Sequence, residues 1–264
     1  MEKLPNECYE ITFYNLCHKD LFSCALVNRR WCRNTIPILW SEPEHHFSNI
    51  RLIRVLLLML NVEEQVLLIP LNLRLPTHQK PLFEYTSYIT SIKCHLYGGI
   101  KKLFPRIKSG TKNEVGNAVK CSLYAMFLRT GKNLKHLYID EIIYNQFIFK
   151  NLYECTTITS VDLYLPHNID DYFKSKAIDV LVKTIRKNST LASLKVNSTK
   201  FGFERVETVL EALYNNTVIN SLSLYDSHIS AEEGKMLAMF LYMKTTITSL
   251  TLCGGEESWS LYGV

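Results

Sequence analysis

Eight cysteines are the first candidates for chemistry: Cys8, Cys17, Cys24, Cys32, Cys94, Cys121, Cys155 and Cys253. None forms a C-x-x-C pair, whereas a zinc site needs close ligand pairs that converge on one point. They read as buried, reduced thiols. His45 and His46 are adjacent, which does not place two imidazoles on one helix face toward a shared metal. Gly98-Gly99 and Gly254-Gly255 are isolated pairs and build no phosphate-cradling loop. Asp170-Asp171 falls at a helix start, where two carboxylates complement the dipole. The sequence therefore predicts no enzyme activity, no metal site and no cofactor.

The 264 residues are 47% hydrophobic and 21% charged, enough to bury a core. The net charge is +5. Basic residues cluster once, at Lys101, Lys102, Arg106, Lys108 and Lys112, among Gly98, Gly99, Pro105 and Gly110. That composition reads as a solvated loop, too thinly charged for a phosphate footprint, so nucleic acid is not an expected partner. The opening MEKLPNECYE lacks a secretory pattern. The run from Leu52 to Leu60 is broken by Arg54 and too short to cross a bilayer. The expectation is a soluble cytoplasmic or nuclear protein with no membrane partner. The sequons at Asn188, Asn197 and Asn215 then read as polar turns of a repeat.

That repeat is plain in the second half. Ile158-x-x-Val161-x-Leu163, Leu191-x-x-Leu194-x-Val196, Ile219-x-x-Leu222-x-Leu224 and Ile247-x-x-Leu250-x-Leu252 recur at nearly constant offset. In each, the last two apolar residues are two apart and share one face of a short strand. Between them lie helix-spaced sets: Ile178, Leu181, Val182 and Ile185; Val206, Val209, Leu210 and Leu213; Leu237, Phe240 and Leu241. Ser230 and Glu233 make a capping box. A looser unit precedes these, with a helix around Leu123–Leu128, Gly131 as its stop, and Leu134-x-x-Leu137-x-Ile139; Ile89-x-x-Ile92 is a degenerate one.

The units resemble leucine-rich repeats of the ribonuclease-inhibitor type, which implies an α/β solenoid, a horseshoe of strand–helix units. They depart at the position after the strand, where Thr199 and Ser227 replace the usual Asn and weaken its side-chain ladder. In such a horseshoe the strand residues alternating with the buried ones line the concave face. Here they are Ser160, Asp162 and Tyr164, then Ser193, Lys195 and Asn197, then Ser221, Ser223 and Tyr225, then Ser249 and Thr251. They are the candidate contacts for a target protein, with the two tyrosines as anchors.

The first forty residues read as three short helices. Pro5 suits a first turn, Tyr9, Phe13 and Leu16 share a face, and His18-Lys19-Asp20 breaks the pattern. Leu21, Cys24, Ala25 and Val27 follow, and a third helix carries Trp31 toward Pro37. Leu4-Pro5-x-Glu7, Phe13, Leu16, Asp20-Leu21, Cys24, Leu26-Val27 and Trp31 occur in the order and spacing of an F-box. With Val27-Asn28-Arg29-Arg30-Trp31-Cys32 and Ile36-Pro37-Ile38-Leu39-Trp40, the segment resembles a fungal F-box/leucine-rich-repeat family. Thr12 departs from that pattern, which usually has Ile there.

The resemblance implies that the helices dock a Skp-type adaptor, which leads to a cullin–RING ubiquitin ligase, while the repeats hold an unknown target. Leu4, Pro5, Phe13, Leu16, Leu21, Val27 and Trp31 are the candidates for the adaptor contact or its immediate support. The resulting division is an F-box over 1–43, a helical and irregular connector over 44–130 and leucine-rich repeats over 131–264. The competing reading is a protein-binding scaffold whose F-box remnant no longer docks and which has no ligase role.

Overall fold

The computed structural model describes residues 5–71, 73, 75–76, 81–92, 96–104, 112–140, 148, 151–152, 154–165, 170–198, 203–225, 230–254 and 257–262. The chain divides into two units, Met1–Leu134 and Lys135–Val264.

The first unit opens with α1 (Asn6–Tyr14), α2 (His18–Ala25) and α3 (Arg29–Leu39). Pro5 precedes α1, where its missing N–H costs nothing. His18, Lys19 and Asp20 form the first turn of α2 instead of a break. Asn28 caps α3, its side-chain oxygen accepting from Trp31 N–H at 2.9 Å. The third helix continues through Pro37 because Ile36, Ile38, Leu39 and Trp40 all pack on the three-helix core. Beyond it come α4 (Ile50–Leu58), α5 (Val62–Val66), a two-residue strand β1 (Ser91–Ile92), α6 (Leu96–Leu103) and α7 (Lys112–Thr130).

Two contacts tie these helices together. Glu64, buried on α5, closes a capping box with Asn61 and accepts a two-pronged bond from Arg129 on α7, at 2.6 and 3.1 Å. Gly98-Gly99, the pair expected in a loop, lies inside α6. A Cβ on Gly99 would sit 2.7 Å from Ile53 Cγ1 and closer still to the Phe47 carbonyl. Glycine here permits close helix approach, and Lys101 and Lys102 end up exposed on the last turn of α6. Arg106 and Lys108 of the expected basic loop lie outside the described residues, and Lys112 begins α7.

The second unit alternates strand and helix: β2 (His136–Ile139), β3 (Ser160–Leu165), α8 (Asp171–Lys187), β4 (Ser193–Ser198), α9 (Phe203–Asn215), β5 (Ser221–Tyr225), α10 (Ala231–Met243), β6 (Ser249–Gly254) and β7 (Glu257–Tyr262). Strands β2 to β6 run parallel in chain order, in the register that the sequence pattern predicts. Leu137, Val161, Leu194, Leu222 and Leu250 form one buried row. Ile139, Leu163 and Val196 are buried beside it, and Leu224 and Leu252 are half-buried at the end of that second row. Strand β7 pairs antiparallel with β6 and has no counterpart in the repeat pattern. The helix starts hold as read: Asp170 caps α8 at 2.8 Å, and Ser230 and Glu233 close their box on α10.

The side-chain ladder runs through a different position from the one expected. Thr199 and Ser227 lie outside the described residues. The rungs are instead Asn188 and Asn216, buried just before β4 and β5. The Asn188 carboxamide accepts from Thr190 and Leu191 N–H, both at 2.8 Å, and donates to the Cys155 carbonyl at 3.2 Å. Asn216 accepts from Val218 and Ile219 N–H and donates to the Ile185 carbonyl at 2.8 Å. Each side chain therefore satisfies its own turn and the preceding one, and buried backbone groups left unpaired would be costly.

At the next rung stands Lys244, whose Nζ donates to the Tyr214 and Asn216 carbonyls. Burial lowers its pKa below the ordinary 10.5. The unfolded chain then holds this proton more tightly than the folded one, so stability rises as pH climbs from the lowered value toward 10.5. Lys244→Asn should complete the ladder and stabilise the protein by about 1 kcal/mol at neutral pH. In urea melts this advantage over the parent should shrink steadily as pH approaches 10.

Candidate functional site

The N-terminal module has a very small interior. Among the described residues of the three helices, Phe13 on α1, Leu21 on α2 and Leu39 on α3 are the buried apolar ones, with Tyr9, Leu16, Cys24 and Trp31 partly buried against them. Phe13 lies at the centre, its ring 5.9 Å from Tyr9 and 5.4 Å edge-on from Trp31. Arg30 sits 4.7 Å over the outer face of the Tyr9 ring.

Of the seven residues predicted for the docking contact or its support, Phe13 and Leu21 are interior, and Leu16 and Trp31 are partly buried against them. Pro5 and Val27 are exposed, and Leu4 lies outside the described residues. The exposed apolar side chains are mostly others. Ile11 and Tyr14, three apart on α1, are 67% and 70% exposed. Phe22 and Leu26, four apart, make a second ridge at α2, continued by Val27; Leu26 is 73% exposed. Such spacings put each pair on one helix face. The tight turn after α2, with Leu26 N–H bonded to Ser23 and Val27 N–H to Cys24, carries both side chains outward. Thr12 spends its hydroxyl on the Cys8 carbonyl at 2.7 Å, so its polarity is satisfied within α1.

Cysteine burial departs from expectation here as well. Cys8 and Cys17 are exposed, while Cys121 and Cys155 are buried. The Cys17 thiol donates to Asp20 at 3.1 Å. Among the described residues no three His, Cys, Asp or Glu side chains are grouped to hold a metal, and no helix is long and apolar enough to cross a membrane.

In the second unit the predicted target-facing residues form three registered rows. Ser160, Ser193, Ser221 and Ser249 make one; Asp162, Lys195, Ser223 and Thr251 the next; Tyr164, Asn197 and Tyr225 the third. All are half-buried. Lys195 Nζ bridges the rows, 3.3 Å from Asp162 Oδ2 and 5.0 Å over the Tyr225 ring. Tyr138 on β2 stacks on Tyr164 with centroids 6.5 Å apart and extends the face by one strand. The same alternation that gives Tyr164 gives Tyr138, one residue past Leu137, so the signal was present in the weaker first unit.

Residues 1–33 match the F-box domain, which binds Skp-type subunits of cullin–RING ubiquitin ligases. Proteins with this domain are typically non-catalytic adaptors. No curated protein matches the chain.

The burial pattern predicts a sharp split between neighbours on α1. Phe13→Asp puts a charge into the three-helix core and should remove the module's cooperative melting, a loss of about 3–5 kcal/mol. Ile11→Asp, on the exposed face, should leave the melting temperature within about 2 °C of the parent. Differential scanning calorimetry of the full chain compares the two.

Proposed function

We propose that this protein is a substrate-recruiting adaptor of an SCF-type ubiquitin ligase. The F-box docks a Skp-type subunit and the strand–helix repeats hold a target protein. The observation that carries the docking half is the pair of exposed apolar ridges, Ile11–Tyr14 and Phe22–Leu26–Val27, on the segment that matches the F-box. Three helices that bury so little among themselves gain stability from a partner that covers this side. Phe13, Leu16, Leu21 and Trp31 then act as the support that fixes helix spacing, with Leu4, Pro5 and Val27 among the contacts.

The repeats are read as a leucine-rich-repeat segment of the ribonuclease-inhibitor type. A nearly constant sequence period, parallel pairing in chain order and buried asparagine rungs support that reading. The division into F-box 1–43, connector 44–130 and repeats 131–264 follows from it. The polar rows of β3 to β6 are the target face. Tyr164 and Tyr225 supply rigid contact area, and Lys195, held between Asp162 and Tyr225, presents an ordered charge.

Titration of the full chain with a purified Skp-type adaptor tests the docking half. The parent should bind, and Ile11→Asp with Leu26→Asp should weaken binding at least about tenfold, a loss of about 1.4 kcal/mol or more, without lowering the melting temperature. A well-folded parent that does not bind would hand the lead to the scaffold reading, in which the F-box is a remnant.

A further inference from the structure

The helical side of the second unit carries a feature that neither the docking ridges nor the polar strand rows use. Between α9 and α10 lies a groove of about 340 Å³. Met236, Met239, Phe240 and Met243 line it from α10, and Leu210 and Tyr214 from α9. Met239, Met243 and Tyr214 are each more than half exposed. Three of the chain's six methionines fall within this short stretch.

The repeat itself shows that Met239 and Met243 are not framework. Rungs Asn188, Asn216 and Lys244 fix the register, each linked to the next across 28 residues. One step back, Met236, Met239 and Met243 correspond to Thr208, Glu211 and Asn215. Two steps back they correspond to Val180, Lys183 and Lys187. Val180 is buried, so Met236 keeps a framework position, whereas the positions of Met239 and Met243 are polar in both preceding helices, which pack without apolar side chains there. Methionine is unbranched and polarisable, suited to receiving irregular apolar side chains.

Charge identifies the occupant. Glu207 and Glu211, one turn apart on α9 and both exposed, line the groove; Arg186 is the single cation among its lining side chains. We infer that this groove binds an amphipathic helix of a partner protein, with bulky apolar residues on the methionines and Lys or Arg opposite Glu207 and Glu211. Groove-bound helices present anchors at i, i+3 or i+4, and i+7. The 13 residues of α9 give a wall of about 20 Å, long enough for three to four turns of the incoming helix. This inference does not depend on the F-box docking anything.

The test uses the full chain with methyl-labelled methionine, titrated with two synthetic amphipathic helices of about four turns, one Leu/Lys and one Leu/Glu. The Leu/Lys peptide should shift the Met236, Met239 and Met243 methyl resonances saturably, leaving Met59 and Met126 in place. The Leu/Glu peptide should bind at least about tenfold more weakly, and Glu207→Lys with Glu211→Lys should reverse that order. Equal binding of both peptides, or shifts centred on Met59, would overturn the proposal. So would concentration-dependent broadening of the three methyls without peptide, together with a dimer mass in sedimentation, since a second copy would then be the occupant.

Discussion

No described element of this chain can bury its own apolar face, and that constraint organises both units. A short strand or a helix of at most about five turns has one apolar side and cannot fold over it. In the second unit each strand–helix pair uses the next pair as its cover, and the cost is a buried turn between them. Asn188 and Asn216 meet that cost by bonding two backbone N–H groups of their own turn and a carbonyl of the turn before. Without such rungs the apolar rows could still stack, but the turns between them would hold unpaired backbone groups.

The N-terminal module meets the same constraint differently. Its helices are arranged around Phe13, Leu21 and Leu39, and the supply of interior space ends there. Ile11, Tyr14, Phe22, Leu26 and Val27 remain outside. Scattered exposed apolar residues are ordinary on any protein, whereas two ridges on a module this small are the feature on which the proposed docking rests.

Much of this was legible in the sequence, and the reason is periodicity. A nearly constant offset and the i, i+2 alternation of the strands determine which residues are buried, as Val161, Leu194 and Leu222 show. The capping boxes were readable because they depend on local spacing alone. What could not be read needs the third dimension. Ile11 and Phe13 are both apolar and two residues apart, and only helix packing decides that one faces solvent. Gly99 looked like loop punctuation because the sequence does not show that α4 passes close enough to forbid a Cβ. The family resemblance points to a ladder position after each strand, whereas Asn188 and Asn216 stand before β4 and β5.

The most direct measurement is hydrogen–deuterium exchange of the full chain with and without a purified Skp-type adaptor. New protection is expected over residues 8–27, covering most of α1, all of α2 and the turn that follows, with exchange around Asn188 and Asn216 unchanged. An adaptor that leaves residues 8–27 exchanging at their free rate, or protects the strand rows of the second unit instead, would contradict the proposed docking.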